Sequence, residues 1–266
     1  IAVSLMRDGA RVATLDLDAR QGTLSRYIEN RANYAAKKGI DLPMPMHTPV
    51  MISTLNDRRE AEADERARLA AALEPAVGAA DFVIVDTPGS DTHLSRLAHT
   101  WADSLLTPLN DSFIDLDLLA RVDPDTLKIV RPSIYAEAVW KQRQIRAIEG
   151  GRPVDWIVMR NRLSSLAARN KRDMGNVIEA LAKRIGFRVA AGLSERVIYK
   201  ELFLMGLTLL DLKRSGGAGP SLTLSHVAAR QEVRDLVMAL NLPGVAPAEA
   251  DAPAIEEATE APPPGE

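Results

Sequence analysis

Short apolar runs that end in polar residues alternate along this chain with longer segments of helical character. The clearest run covers residues 82–85, where Phe, Val, Ile and Val lead into Asp86 and then into the breaker Thr87-Pro88-Gly89. An uninterrupted apolar run of this kind predicts a fully buried strand of a parallel sheet. Similar runs predict strands at 11–16, 104–109 and 156–162, and an edge strand at 187–191.

The segments between these runs predict helices, because they are amphipathic or rich in Ala, Glu, Arg and Leu. They cover residues 1–8, 23–38, 60–80, 94–102, 136–149, 165–184 and 222–242, whereas prolines at 43, 45 and 49 break the pattern. Strands that alternate with helices indicate a doubly wound fold. We therefore expect an α/β domain over residues 1–242, with a doubly wound, mostly parallel sheet flanked by helices.

The composition narrows the class of protein. Hydrophobic residues make up 46% of the 266 residues and aromatic residues only 4%, which favours an interior of Ala, Leu, Val and Ile. The lack of cysteine excludes disulfides and thiolate metal sites, and it suits a cytosolic protein. No apolar run is long enough to span a bilayer. The chain begins on Ile1 rather than Met, so we expect its natural N-terminus to lie upstream.

Charge is distributed unevenly along the chain. Residues 141–214 contain sixteen Lys and Arg against seven Asp and Glu, a net charge of +9, which suits a polyanionic partner. Residues 243–266 carry six acids, no base and little bulky apolar material, so we expect a disordered tail there. Such a tail also argues against membrane attachment, which would need a basic amphipathic helix.

Three predicted strands end in polar groups. Asp16 and Asp18 follow the first, Asp86 the second and Asn161-Arg162 the fourth. Ligands of open α/β sheets bind at the carboxyl ends of the strands, so these residues would converge on one crevice. An aspartate at such a position is typical of the magnesium side of nucleotide hydrolases. The same residues are also typical of turns and helix caps. The residues alone therefore leave two interpretations open, a nucleotide site and a purely structural role.

A phosphoryl-transfer site also needs a cradle for phosphate groups. No G-x-x-x-x-G-K-S/T motif occurs in the sequence. Because residues 1–8 are predicted as the remainder of a helix, we expect that motif, and a first strand, immediately upstream of Ile1. The chain as given is therefore expected to bind ATP poorly.

Six segments resemble the deviant Walker ATPases of the ParA/MinD group, which partition chromosomes and place the division site, and most closely the MipZ-like division-plane regulators. Asp-Thr-Pro-Gly is shared by many P-loop proteins, whereas residues 110–115 and 196–211 are more specific. The resemblance extends from Ile1 to about Leu242. The segments are Asp16-Leu-Asp-x-Arg-Gln, Tyr27-Ile-Glu-Asn-Arg, Phe82-Val-Ile-Val-Asp-Thr-Pro-Gly, Thr107-Pro-Leu-Asn-Asp-Ser-Phe-Ile-Asp, Val158-Met-Arg-Asn-Arg-Leu and Arg196-Val-Ile-Tyr-x-Glu-Leu-Phe-x-x-Gly-Leu-Thr-Leu-Leu-Asp.

The resemblance implies a P-loop NTPase fold and an ATP-dependent dimerisation switch. In this family two subunits sandwich two ATP molecules with Mg²⁺, and the homodimer binds DNA without sequence preference and hydrolyses ATP slowly. The resemblance further implies a cytoplasmic, nucleoid-associated protein that is recruited by a ParB-like centromere-binding protein and inhibits the division tubulin FtsZ.

The resemblance also assigns roles to single residues. By motif, Asp18 would be the switch I aspartate that supports hydrolysis, and Asp16 precedes it at the strand end. Asp86 would be the Walker B carboxylate, which reaches Mg²⁺ through water. The remaining nucleotide-site residues are Thr87, Pro88, Gly89, Asn161 and Arg162, the last two at adenine.

Basic residues in the second half of the chain are candidates for DNA contact. A run of charge is usually a solvated helix face, but acidic partners are scarce in this region. Few aromatic residues lie between the bases, so contact with backbone phosphates fits better than base stacking. We hypothesise that the contacts are Arg169, Lys171, Arg172 and Arg196.

Two other classes of function stay open. One is a metabolic ATP-dependent ligase on the same scaffold, although the basic segment favours the switch. The other is a nucleotide-free scaffold protein, in which the missing phosphate loop is real. A Lys-Gly-Gly-x-Gly-Lys-S/T segment encoded just before Ile1 would exclude the scaffold.

Overall fold

The computed structural model describes residues 1–123, 125–126, 128–163, 168–212 and 224–245. Their strands are β1 (Val12–Asp16), β2 (Met46–Pro49), β3 (Phe82–Asp86), β4 (Ser104–Asn110), β5 (Ala120–Val122), β6 (Ile129–Pro132), β7 (Asp155–Asn161) and β8 (Arg188–Ala190). Their helices are α1 (Ala2–Arg7), α2 (Thr23–Lys38), α3 (Arg58–Ala79), α4 (His93–Trp101), α5 (Phe113–Leu116), α6 (Ile134–Ile148), α7 (Ala168–Leu181), α8 (Ile198–Phe203) and α9 (Leu224–Ala239). None of these helices is both long and apolar enough to cross a membrane.

The strands form two parallel sheets and one small hairpin. One sheet has the order β2-β1-β3 and the other β4-β7-β8, while β5 pairs antiparallel with β6. Helices connect the parallel strands, as crossover connections require. The predicted α/β class, with mostly parallel strands flanked by helices, is confirmed. In addition, no hydrogen-bonded ladder joins β3 to β4 among the described residues, so the sheet is divided in two.

The burial of the strands follows this division. The central strand β1 is buried at all five positions. In β3, residues 82–85 are only half-buried and Asp86 is exposed. The prediction of a fully buried strand is therefore wrong for this segment. The reason is its place in the sheet, because β3 pairs with β1 on one side and has no partner strand on the other within the described chain.

Most predicted elements are confirmed to within a few residues. The bounds of α2 match the prediction, and α3, α4 and α6 begin within two residues of the expected positions. Strand β2 is not predicted, because prolines surround it; it is an edge strand, where the terminal Pro49 is tolerated. The short elements α5, α8, β5 and β6 are not predicted either. Residues 165–167 of the predicted basic helix and 246–266 of the predicted tail lie outside the described residues.

Each sheet has its own apolar core. One cluster packs α3 and α4 against β1 and β3, and the other packs α6 and α7 against β4 and β7. The indole Nε1 of the buried Trp156 donates to Thr107 Oγ1 at 3.0 Å, which satisfies its polar atom. The two cores meet where α4 packs on α6, and there the buried Thr100 hydroxyl donates to Gln142 Oε1 at 2.7 Å.

A buried ion pair ties α2 to the segment that follows α8. Both terminal nitrogens of Arg31 donate to the Asp211 carboxylate, at 2.7 and 2.8 Å, and neither side chain is more than 1% exposed. Arg7 and Thr208 donate to the same carboxylate. Burial alone would raise the pKa of Asp211, but these hydrogen bonds outweigh it and hold that pKa well below its usual range.

Gly206 brings the same segment against the backbone of α2. Its φ is +61°, and a Cβ built there would lie 2.1 Å from the backbone nitrogen of Arg31 and 2.5 Å from its Cα. The Gly206 carbonyl also accepts from Arg31 Nη1 at 3.1 Å. Both the left-handed conformation and the backbone contact therefore require glycine.

We expect Gly206→Ala to lower the free energy of unfolding by about 2–5 kcal/mol, since strain in the left-handed region adds to overpacking against a backbone. Gly39→Ala is the matched control, because Gly39 has the same φ of +61° but nothing within 4 Å of the built Cβ. The control should show only the conformational strain, about 1–2 kcal/mol. Urea denaturation of both variants measures the difference, and equal losses would contradict the close contact.

Candidate functional site

The carboxyl ends of β1 and β3 bring three carboxylates together. Asp16 and Asp86 are paired in register on neighbouring strands, and the Leu17 amide donates to the Asp86 carbonyl oxygen at 2.9 Å. Side chains at paired positions of parallel strands lie on the same face of the sheet. Asp18 lies two residues beyond β1. We call Asp16, Asp18 and Asp86 the acidic edge.

Asp16 is fully buried, and local donors occupy its carboxylate. The Asp18 amide donates to Oδ1 at 3.0 Å, while the Ser25 amide and hydroxyl donate to Oδ2 at 3.1 and 2.7 Å. These three donors satisfy a group that burial would otherwise penalise. Asp16 therefore fixes the loop at 17–22 and the start of α2. Its nucleotide contact stays a prediction, and this placement makes any such contact indirect.

Asp18 and Asp86 are the accessible members of the acidic edge. The Asp18 side chain is partly exposed and Asp86 is exposed at the end of β3. Partial desolvation, followed by the charges of Asp16 and Asp18, raises the pKa of Asp86. A bound cation would relieve that repulsion. No three His, Asp or Glu side chains in the described residues could hold a metal by themselves. Mg²⁺ would therefore need further ligands, which substrate phosphates commonly supply.

The breaker after β3 leaves open space beside Asp86. Thr87 and Pro88 are partly exposed and Gly89 is exposed. A Cβ at Gly89 would meet nothing within 4 Å. A ligand could therefore approach the backbone at this position closely.

Asn161 and Arg162 line a cavity of about 420 Å³ at the carboxyl end of β7. Small-molecule sites have volumes of this order. Arg162 has a φ of +53°, a conformation that is uncommon for a residue with a side chain. The two predicted adenine contacts therefore lie together, on the other sheet from the acidic edge. The rest of the lining comes from Leu193, Ser194, Glu195, Arg196, Tyr199, Lys200 and Phe203.

Arg196 belongs to the wall of this cavity. Its Nη2 donates to Glu232 Oε1 at 2.7 Å and its Nη1 to Ser225 Oγ at 2.8 Å, and its side chain is 18% exposed. Its Nε and the hydroxyl of Tyr199 are buried and make no hydrogen bond of good geometry within the described residues, although the Arg196 side chain lies close enough to that hydroxyl to act on the pKa of Tyr199. Such atoms are rare in native structures and mark a place where function deserves to be tested. DNA contact by Arg196 stays a prediction, and a phosphate would have to compete with Glu232.

The other three DNA candidates lie in α7. Arg172 is exposed, whereas the side chains of Arg169 and Lys171 are outside the described part of the structure. Arg169 and Arg172 are three positions apart on the helix and therefore share a face. The structure thus places the candidates in two groups, one on α7 and one, Arg196, in the cavity wall.

Sequence patterns give little signal for two residues beside the acidic edge. Ser25 binds Asp16, and His47 Nε2 lies 2.9 Å from Ser25 Oγ. Serine is common in the first turn of helices, so Ser25 of α2 gives no specific signal. His47 lies on β2, a strand that is not predicted because prolines surround it. The cavity residues Tyr199, Lys200 and Phe203 lie within residues 196–211, one of the two segments whose resemblance to the family is most specific. That resemblance is the sequence feature that could have identified them as site residues.

Comparison with known proteins confirms the resemblance found in the sequence. Residues 1–244 match the model of the family described as ATPase MipZ. No curated protein matches the chain.

Several solved structures are similar to this chain at low sequence identity. Apo McdA from Cyanothece has a TM-score of 0.55 and 16% identity, and the match covers 90% of this chain and 91% of McdA. An ATP complex of a Cyanothece McdA variant has a TM-score of 0.58 and 16% identity, with 92% and 90% covered. The MinC:MinD complex of Aquifex aeolicus has a TM-score of 0.45 and 13% identity, with 79% and 80% covered. The McdA likeness establishes the fold alone.

We expect Asp86→Asn to raise the free energy of unfolding at neutral pH. The pKa of Asp86 is raised in the folded protein, so its ionised form is less favourable there than in the unfolded chain. Asparagine removes that cost. The gain should disappear as the pH falls below about 3.9, the ordinary pKa of aspartate, where both states are neutral.

Urea denaturation across this pH range measures the effect. Asp91→Asn is the control, because a hydrogen bond from Arg96 lowers the pKa of Asp91. This substitution should therefore lower the free energy of unfolding at neutral pH. A stabilisation of the same size in both variants would contradict a specific cost of ionising Asp86 in the folded protein, which comes from desolvation and then from the neighbouring carboxylates.

Proposed function

The chain belongs to the MipZ family of ATPases, and from that membership we propose that it is an ATP-dependent dimerisation switch that binds DNA nonspecifically and regulates division-site placement and chromosome partitioning. The observation that carries the proposal is the acidic edge, where Asp18 and Asp86 are accessible while the protein itself holds Asp16. This arrangement suits phosphoryl transfer to water, in which the protein positions groups and neutralises charge.

We assign a separate role to each residue of the site. Asp86 would hold Mg²⁺ through water, Asp18 would help to orient the attacking water, and Asn161 and Arg162 would hold adenine. Bound ATP with magnesium supplies the transferable γ-phosphoryl group. Two observations support the fit: the raised pKa of Asp86, which a cation would relieve, and the size of the cavity at Asn161.

The phosphate-cradle motif G-x-x-x-x-G-K-S/T does not occur in these 266 residues. We propose that the 266-residue chain by itself binds ATP weakly and does not turn it over. Turnover is therefore measured on the protein expressed from its whole gene, whatever its length, and on the 266-residue chain as a second arm.

The proposal extends to partners. The ATP-bound homodimer would lie on nucleoid DNA, be recruited by a ParB-like centromere-binding protein and inhibit FtsZ, and slow hydrolysis would return monomers. Family membership and the specific segments at 110–115 and 196–211 support these partners. The McdA variant solved with ATP supports the choice of nucleotide.

We expect Asp18→Ala to dimerise with ATP but to hydrolyse it at least about tenfold more slowly, because the group that orients water is removed while the adenine and magnesium contacts stay. Size-exclusion chromatography with ADP or a non-hydrolysable ATP analogue, with and without DNA, measures the switch. Phosphate release measures turnover.

Asp41→Ala is the matched control, since Asp41 is exposed and lies outside the site. It should behave like the unchanged protein. Unchanged turnover in Asp18→Ala would remove Asp18 from the mechanism. A protein that stays monomeric with every nucleotide would overturn the switch.

We expect Arg172→Glu to weaken DNA binding by the ATP-bound dimer at low salt, and to reduce the slope of log affinity against log salt by about 1. Arg172 is exposed on the basic helix α7, where a phosphate can reach it. Arg59→Glu makes the same change of charge at an exposed position on α3 and should have little effect. Fluorescence anisotropy with unrelated duplexes measures affinity, and equal behaviour of the two variants would contradict the proposed DNA face.

A further inference from the structure

A chain of hydrogen bonds runs from the middle of β1 to the loop that carries Asp18. Thr14 Oγ1 lies 2.9 Å from His47 Nδ1, and His47 Nε2 lies 2.9 Å from Ser25 Oγ. Ser25 Oγ is 2.7 Å from Asp16 Oδ2, and Asp16 Oδ1 accepts the Asp18 amide at 3.0 Å. We call this chain the His47 relay.

The donors and acceptors of the relay fix its direction. A serine hydroxyl has one hydrogen, and Ser25 directs it to the carboxylate of Asp16. The contact between Ser25 Oγ and His47 Nε2 therefore requires a hydrogen on Nε2. In the neutral ring Nδ1 then accepts from the Thr14 hydroxyl. Each donor in the relay thus points toward Asp16.

The surroundings of His47 are compatible with that neutral ring. Burial lowers its pKa, while Asp16, the Thr14 backbone and Glu29 of α2 act in the opposite direction. The ring has a hydrogen-bonding partner at each nitrogen, which fixes its orientation between β1 and α2.

His47 controls the orientation of the Ser25 hydroxyl, because the hydrogen on Nε2 occupies a lone pair of Ser25 Oγ. Without a donor at His47, the Ser25 hydroxyl is held toward Asp16 less firmly, and the Ser25 amide at 3.1 Å stays as the other donor to Asp16 Oδ2. Asp16 is buried and it alone holds the Asp18 amide among the described side chains. A change at His47 would therefore reach Asp18 through two intermediate side chains, without contact between His47 and any substrate.

We propose that His47 is a positioning residue for hydrolysis: through Ser25 and Asp16, it fixes the loop at 17–22 and so sets where Asp18 lies relative to Asp86. This inference rests on the proposed role of Asp18 and extends it to a residue on a different strand. Catalytic groups displaced by about 1 Å lose up to about a hundredfold in rate, so small changes in this loop are sufficient to matter.

The first test needs no nucleotide. In the nucleotide-free protein, His47→Phe should make amide hydrogen exchange in residues 17–25 about tenfold faster, because a hydrogen-bond network that holds the Asp18 and Ser25 amides is weakened. His47→Gln keeps a donor on the side chain and should restore slow exchange. His93→Phe is the matched control, since His93 bonds Glu65 on α3 and lies outside the relay. If His47→Phe does not fold, Ser25→Ala takes its place.

The second test separates positioning from general stability. His47→Phe should lower kcat on the order of tenfold while the affinity for a non-hydrolysable ATP analogue stays the same. In an Asp18→Ala background, His47→Phe should have no further effect on kcat, because the group that it positions is gone.

The outcomes distinguish the inference from the proposed function. Unchanged exchange in His47→Phe, or an equal loss of kcat with and without Asp18, overturns the positioning role. If the protein expressed from the whole gene, without substitutions, does not hydrolyse ATP, the proposed function fails, and the exchange measurement alone decides whether His47 holds the loop.

Discussion

The buried ion pair between Arg31 and Asp211 is the contact on which the geometry of the site depends. It fixes α2 to the segment that follows α8. The first turn of α2 holds the carboxylate of Asp16, and residues of α8 form part of the cavity wall. Tyr27 and Phe203 pack edge to face 5.5 Å apart between the same two helices. Since the acidic edge and the cavity belong to different sheets, α2 helps to set their separation, together with the packing of α4 on α6.

The ion pair contributes more to the positions of the segments around it than to the net stability of the fold. Desolvation of two buried charges offsets much of their attraction. The Arg31 guanidinium, however, also donates to the carbonyl oxygens of Pro43 and Gly206, so four acceptor atoms from two segments converge on one rigid fork. Burial raises the pKa of Tyr27 to about 12, and its neutral hydroxyl donates to the Leu207 carbonyl beside this centre. The segment from 203 to 211 is therefore held along its length. This also fixes the part of the cavity wall that adjoins it.

Most of the helices and strands, and the acidic edge, could be predicted from the sequence, because local periodicity and polar residues at strand ends encode them. Features that depend on which elements pack beside one another could not be predicted in this way. Helix α2 and strands β1, β4 and β7 follow from their apolar patterns, and the acidic edge follows from polar residues at strand ends. The exposure of β3 depends on which strand lies beside it, and an apolar run cannot specify that. The His47 relay joins residues from three elements far apart in the chain, so no local pattern encodes it. Arg196 was placed on a DNA face because of its charge, yet its pairing with Glu232 depends on how α9 packs.

The divided sheet has a mechanical consequence for the site. Within the described residues, β3 and β4 share no ladder hydrogen bonds, so the acidic edge and the Asn161 end of β7 are joined by helix packing and by side-chain contacts such as Arg31–Asp211 and Thr100–Gln142, and not by paired strands. Hydrogen-bonded strands resist separation strongly, whereas packed helices can slide by small amounts. The distance between the two halves of the site can therefore change more easily than a distance within either sheet. A ligand that touches both halves would stiffen the protein as well as bind to it.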